Sequence, residues 1–167
     1  MKESGAYRIG VLTLSDKSAR GQRTDESGPV VGEMLGACGE VTHVAILPDD
    51  INAIADLLKQ WTDRDRLDLI VTTGGTGLTP RDVTPQATLQ VVDYEIPGMA
   101  EFMRMQSVSK THHAMLSRAV VGVRNRTMII NLPGSPKAAR ENLQAVLPAL
   151  PHALAKLAGD PSDCGSQ

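Results

Sequence analysis

Residues 69–85, LIVTTGGTGLTPRDVTP, constrain this chain more than any other stretch. An apolar, β-branched run empties into a turn of glycines and threonines, and then a carboxylate, Asp82, follows. A short continuous apolar run bounded by glycines is the pattern of a strand buried on both faces, as in a parallel sheet covered by helices. Gly74, Gly75 and Gly77 let the backbone take positive φ and approach a ligand. Thr72, Thr73, Thr76 and Thr79 add hydroxyls that are costly to bury without partners. A ligand oxyanion can use such hydroxyls together with free backbone N–H groups. Asp82 adds negative charge, which a pure anion cradle avoids unless a metal is present. The turn is not a Walker A loop, because no Gly-Lys-Ser/Thr follows, and its glycine spacing does not fit the dinucleotide fingerprint.

The same alternation extends along the chain. Residues 8–14, 41–47, 67–73, 119–123 and 127–132 read as strands. Helical spacing marks 27–37, through Val30, Val31, Met34 and Leu35, and the stretch after Asp49-Asp50, through Ile51, Ile54, Ala55, Leu57 and Leu58. Thr84 reads as an N-cap with Pro85 at the first position of a helix running to about Val92. Residues 97–109 form another helix, with Met99, Phe102 and Met103 at core spacing, and 137–157 a last one bent by Pro148 and Pro151. Residues 15–26 read as a polar loop. The expected fold is α/β: three layers, a mainly parallel sheet with helices on both faces, in a single domain over 1–167 with an ordered core of about 7–159. In such sheets ligands bind at the carboxyl ends of the strands. That rule selects loops 15–26, 48–50, 74–83 and 133–136, and predicts that they converge.

Bulk properties exclude several classes. The 167 residues carry a net charge of −2 and no basic run, and aromatics are 2% of the chain, too few for base-stacking platforms, so nucleic acid is not the expected partner. The longest apolar stretches are strand-sized, so no membrane span is expected. The N-terminus lacks an apolar signal core, and Cys38 and Cys164 suit neither a disulfide nor a zinc site; the expected setting is the reduced cytoplasm, with Cys38 as a core filler. His112 and His113 have no metal-ligand spacing and read as surface or interface residues.

The selected loops carry chemistry. Asp50 suits a helix N-cap while Asp49 reaches the same edge as Asp82, and two carboxylates beside a polyphosphate are what Mg²⁺ needs. Ser15 and Asp16 end the first strand; Gly134 and Ser135 open the last helix, where free N–H groups favour a phosphate. Lys17, Arg20, Arg23 and Arg81 are cations able to offset a multiply charged substrate. Met99, Met103 and Met105, with Phe102, serve packing or a subunit contact.

Together, TLSD (13–16), PDD (48–50), TTGGTG (72–77), RDVTP (81–85), IPGMAE (96–101), AMLSR (114–118) and NLPGSP (131–136) resemble the molybdopterin adenylyltransferase family, the MogA/MoaB-like proteins of molybdenum cofactor biosynthesis. The match runs in order over nearly the whole chain, and TPRD with AMLSRAVVGVR looks closest to one domain of the plant and animal fused proteins. The resemblance implies that the molybdopterin phosphate attacks the α-phosphate of ATP, pyrophosphate leaves, and the adenylylated product passes to a metal-insertion protein. It implies catalytic roles for Asp49 and Asp82, as Mg²⁺ ligands. It implies substrate contacts for Ser15, Asp16, Thr73, Gly74, Gly75, Thr76, Gly77, Arg81, Glu101, Pro133, Gly134 and Ser135. It also implies a homotrimer. Two alternatives stay open: a molybdopterin-binding module without catalysis, of the MoaB type, and the same step serving a tungsten cofactor.

Overall fold

A computed structural model of the protein describes residues 6–162. Six strands form one sheet in the order β2-β1-β3-β6-β5-β4. They are β1 (Tyr7–Leu14), β2 (Gly39–Leu47), β3 (Leu69–Thr73), β4 (Tyr94–Glu95), β5 (Val121–Arg124) and β6 (Thr127–Leu132). The β1–β2, β1–β3 and β3–β6 pairs are parallel, whereas β5 runs antiparallel to β6 and β4 antiparallel to β5.

Strand alternation builds two cores, one on each face. Ile9, Val11, Leu69, Val71, Met128 and Ile130 point to one face. There they meet α2 (Ser27–Leu35), α5 (Pro97–Val108), α6 (Pro136–Val146) and α7 (Leu150–Leu157). Leu12, Leu14, Ile70 and Ile129 point to the other face, against α3 (Ile51–Lys59) and α4 (Thr84–Leu89). The three-layer architecture expected from the alternation is therefore present. Trp61 belongs to the second core and lies over Gly10, where a Cβ would come within 2.7 Å of the indole ring.

Several local expectations need correction. Residues 15–26 are not all loop: Asp16–Ala19 forms a one-turn helix, α1, capped by Ser15. The helix after Asp50, for which the spacing gave no end, spans Ile51–Lys59 and continues through a π-helical turn, Gln60–Arg64. Thr84 is not an N-cap. Its hydroxyl donates to the Gly74 carbonyl, Val83 occupies the cap position, and the helix ends at Leu89. Phe102 is 40% exposed; Ala100 and Met103 are the buried residues of that helix turn. The last helix is not merely bent at its prolines but divided into two by a 3₁₀ turn at Leu147–Ala149. Cys38 packs against the first core, and burial pushes its thiol pKa up; Cys164 lies outside the described residues. Among the described residues no helix is long and apolar enough to cross a membrane.

Strand β1 has β2 on one side and β3 on the other, so the chain changes direction across the sheet at the β1/β3 junction. The general rule places a binding crevice at that point, outside the strands' carboxyl ends. Gly74 sits there with φ +102°, and a Cβ on it would land 2.3 Å from the Leu14 carbonyl oxygen. Gly21 also has positive φ (+68°), but a Cβ there would meet nothing within 4 Å. Gly21→Ala is therefore expected to cost about 1 kcal/mol in urea unfolding, and Gly74→Ala about 3 kcal/mol or more. Equal costs would show that the strand ends can move apart to admit a methyl group.

Candidate active site

Four parallel strands deliver their loops to one cleft of about 310 Å³. Ser15 comes from the end of β1, Asp49 from β2, Gly74 and Gly75 from β3, and Gly134 and Ser135 from β6, with Asp82 completing the wall. The predicted convergence of these loops is thus met. A larger hollow of about 560 Å³ lies at the opposite end of the sheet, beside Leu67, Asp68 and Thr127. It contains none of the loop glycines, so volume alone does not locate the site.

Backbone bonds lock the strand ends together. The Ser15 N–H donates to the Leu47 carbonyl, and the Gly74 N–H to the Leu132 carbonyl, both at 3.0 Å. The Thr73 hydroxyl donates to the Pro133 carbonyl at 2.7 Å. Thr84, fully buried, holds the glycine turn: its hydroxyl donates to Gly74 O at 2.9 Å and its N–H to Gly75 O at 3.2 Å. Ser135 caps α6 by accepting from the Ala138 N–H, so that helix opens directly onto the cleft.

Asp49 and Asp16 clasp each other. The Asp16 N–H donates to Asp49 Oδ2 at 3.2 Å, and the Asp49 N–H donates to Asp16 Oδ1 at 3.1 Å. Arg81 grips the Asp16 carboxylate with two donors, Nε at 2.9 Å and Nη2 at 2.7 Å. That grip holds the Asp16 pKa below the usual carboxylate range. Burial pushes the Asp49 pKa up, and the negative charges of Asp16 and Asp82 add to the rise, against the Asp16 N–H and Arg81, which oppose it. Asp49 Oδ1 is buried with no hydrogen-bond partner, the single such side-chain atom among the described residues. Asp50 caps α3 through the Ala53 N–H while Asp49 lines the cleft, the placement expected of the two adjacent aspartates. Asp82 Oδ2 accepts from both the N–H and the hydroxyl of Thr79, which sets its rotamer.

The other expected contacts divide. Thr73 lines this cleft; Thr76, Gly77 and Pro133 line an adjoining, mostly apolar hollow of about 430 Å³. Asp16 and Arg81 line neither space; they are joined to each other, and Asp16 meets the cleft only through its bonds to Asp49. Glu101 is exposed on α5 and borders neither space. Arg23 borders the cleft, whereas Lys17 and Arg20 do not. Sequence reasoning missed Asp25, which accepts from the Thr13 and Ser27 hydroxyls and the Gly28 N–H and so anchors the start of α2 against β1. An aspartate placed three residues ahead of a helix's first free N–H was the signal available for it.

Comparison with known proteins gives the same class. Residues 10–152 match the family model described as a probable molybdopterin binding domain. The chain belongs to this family. It is 42% identical over 155 residues to a molybdopterin adenylyltransferase of Helicobacter pylori, covering 91% of this chain and 88% of the relative. It is 41% identical over 156 residues to the molybdenum cofactor synthesis protein cinnamon of Drosophila melanogaster; these cover 92% of this chain and 26% of that protein, so the chain spans about a quarter of that relative. Among solved structures, the molybdopterin biosynthesis enzyme MoaB of Thermus thermophilus superimposes with a TM-score of 0.86 at 53% identity, over 94% of this chain and 99% of that one.

The raised Asp49 pKa has a stability consequence. A carboxyl whose folded pKa exceeds its unfolded one favours folding below the ordinary carboxylate range and loses that contribution as pH rises through the raised value. At pH 7 the ionised group therefore works against the fold. Asp49→Asn, whose amide oxygen can still accept from the Asp16 N–H, is expected to have a higher Tm than the parent at pH 7 in EDTA. The advantage is expected to vanish toward pH 4. A lower Tm at pH 7 would mean that the carboxylate is held by more than its neighbours show.

Proposed function

We propose that this chain is a molybdopterin adenylyltransferase, transferring AMP from ATP to the molybdopterin phosphate with release of pyrophosphate. The observation that carries the reading is the buried, unpartnered Asp49 Oδ1, at a cleft whose lining combines glycine backbone, hydroxyls and a helix start with the charged side chains of Arg23, Asp25, Glu26 and Asp82. Phosphate oxygens suit the N–H groups of such a wall. An unpartnered carboxylate oxygen among them does not suit an anion alone; it suits a cation that arrives with the anion.

The donor set fits Mg²⁺ held jointly with substrate. Among the described residues no group of three or more His, Cys, Asp or Glu side chains is arranged around one point, so the chain offers no closed metal cage. Mg²⁺ is commonly bound by one or two carboxylates plus substrate phosphates. Asp49 and Asp82 would be those carboxylates, and the ion would neutralise charge on the phosphates in flight. The chain's own residues do the rest. Gly74 and Gly75, without side chains, would let phosphates approach the backbone of the cleft. Ser15 and Ser135 face the same space, and Asp16, fixed by Arg81, orients Asp49. Such transfers need positioning and charge balance, not a protein nucleophile.

The surroundings of this chemistry are part of the same proposal. Its partners are ATP, molybdopterin and a downstream metal-insertion protein, the setting is the cytoplasm, and the assembly is a homotrimer. Met105 and Met115 are 63% and 58% exposed, as unpartnered apolar residues at a subunit contact are. Light scattering at micromolar concentration is expected to give three times the chain mass of 17.8 kDa; a monomer would overturn the trimer.

The activity is tested by incubating purified protein with molybdopterin, ATP and Mg²⁺ and separating the adenylylated product. Product is expected from the parent. Asp82→Asn is expected to bind molybdopterin as the parent does while losing about 100-fold or more in turnover. An intact protein that binds the pterin and yields no product would establish a binding module instead, and parent-like turnover in Asp82→Asn would remove that residue from catalysis.

A further inference from the structure

Arg118 lies just ahead of β5, partly buried and 36 residues along the chain from Asp82. Among the described residues it makes no ion pair with an acid; its donors go to the backbone of the glycine-rich loop. Nε donates to the Gly77 carbonyl at 2.7 Å and Nη2 to the Asp82 carbonyl at 2.5 Å. The Arg118 backbone N–H donates to the Thr76 carbonyl at 3.0 Å. A guanidinium is a rigid planar fork, so two carbonyls bound to it are held at one separation. Those carbonyls stand at the two ends of the 77–82 segment, which also closes on itself through the Asp82 N–H to Thr79 O bond of 3.0 Å. The fork therefore clamps the base of the turn that carries the Asp82 side chain into the cleft.

The clamp is itself braced. Arg104 on α5 donates through Nη1 to the Ala119 carbonyl at 3.0 Å and the Ser117 carbonyl at 3.4 Å, on either side of Arg118. The close fit of the turn leaves little slack. A Cβ on Gly77 would lie 2.9 Å from Asp82 Oδ2. The segment's outer residues, Leu78 to Arg81, are exposed, and of their side chains Arg81 reaches out to Asp16. Without the fork, the turn keeps the Thr79–Asp82 bonds within it and the exposed Arg81–Asp16 pair outside it, neither of which holds Gly77 to Asp82.

We propose that Arg118 is a positioning residue for the transfer reaction: it fixes Asp82 by holding both ends of its turn and touches no substrate. This rests on the adenylyl-transfer reading of the cleft. Misplacing a reacting or charge-balancing group by about 1 Å costs on the order of 100-fold in rate, with little effect on substrate already bound elsewhere.

Arg118→Met keeps the apolar stem and deletes the fork; Arg118→Lys keeps the charge with one donor head in place of two fixed ones. Three measurements are made on each. Trypsin cleavage after Arg81, followed by mass spectrometry, reads the order of the turn without any activity. It is expected to quicken about 10-fold in Arg118→Met, with cleavage elsewhere unchanged. Thermal melting is expected to stay cooperative. In steady-state assays kcat is expected to fall about 30- to 100-fold with KM for ATP within about 3-fold, Arg118→Lys lying between Arg118→Met and the parent. Parent-like cleavage after Arg81 would overturn the proposal, as would a rise in KM equal to the fall in kcat. So would a loss of protection over the whole chain in both variants. An inactive parent would overturn the transfer reading, while the proteolysis arm would still decide whether Arg118 holds the turn.

Discussion

Everything in the site depends on the close approach of backbones at Gly74. Three parallel strands end there with no side chain between them. The Leu14 carbonyl oxygen sits 2.3 Å from where a Gly74 Cβ would be, and a Cβ on Gly134 would be 3.2 Å from Gly74 Cα. Removing the side chains lets the carboxyl ends of β1, β3 and β6 meet at the point where the strand order reverses. The floor of the cleft is therefore peptide backbone, and the functional side chains have to come from the turns beyond it. Asp49 arrives from the loop after β2, Asp82 from the far side of the glycine turn, and Ser135 from the start of α6.

That geometry is held from below by a buried polar relay. The Gly74 carbonyl accepts from Thr84, the Thr84 carbonyl accepts from the Thr88 hydroxyl, and the Thr88 hydroxyl accepts from the Asn131 amide. The same amide donates to the Thr72 hydroxyl, and its carbonyl accepts from the Val120 N–H. Asn131, Thr72, Thr84 and Thr88 are all fully buried. Polar groups in such a place cost free energy unless each is satisfied, and when satisfied they specify one arrangement. Here the arrangement registers β3, β6 and α4 relative to one another, and the glycine turn is its last link. Thr84 makes its contribution as a member of this relay, which is why it does not cap α4.

The contrast marks what a sequence can express. Continuous apolar runs and glycine turns have local signatures, so β1, β3, β6 and the loops at their carboxyl ends were legible, as was the division of labour between Asp49 and Asp50. The two-residue β4 and the π turn after α3 have no period long enough to read. Thr84 and Arg118 act through backbone carbonyls that any residue supplies, so no residue type at a given spacing announces them, whereas Asp25 had a local signal in its spacing from Gly28. Thr84 misled for a related reason: a threonine before a proline has the composition of a helix start, and tertiary contact reassigned its hydroxyl to Gly74. Glu101 shows the opposite case, since its place in a shared motif carried it into the expected site while the helix turns its side chain to solvent.

The charge balance around Asp49 follows from these constraints. Arg81 satisfies Asp16 twice over and keeps it ionised, and the ionised Asp16 then disfavours a second negative charge on Asp49. The two aspartates nevertheless remain side by side, because each accepts the other's backbone N–H, which ties the ends of β1 and β2 together. Strand geometry thus forces the carboxylates into proximity, and Arg81 relieves the outer one by direct hydrogen bonds and the inner one only through its charge. The inner one keeps one oxygen on the Asp16 N–H and the other buried beside Gly75 without a hydrogen-bond partner. A carboxylate in that position weakens the binding of a free anion and favours an anion that carries its own cation. Under the proposed reaction, selectivity for a metal-complexed polyphosphate over inorganic phosphate would follow from how two strand ends are fastened.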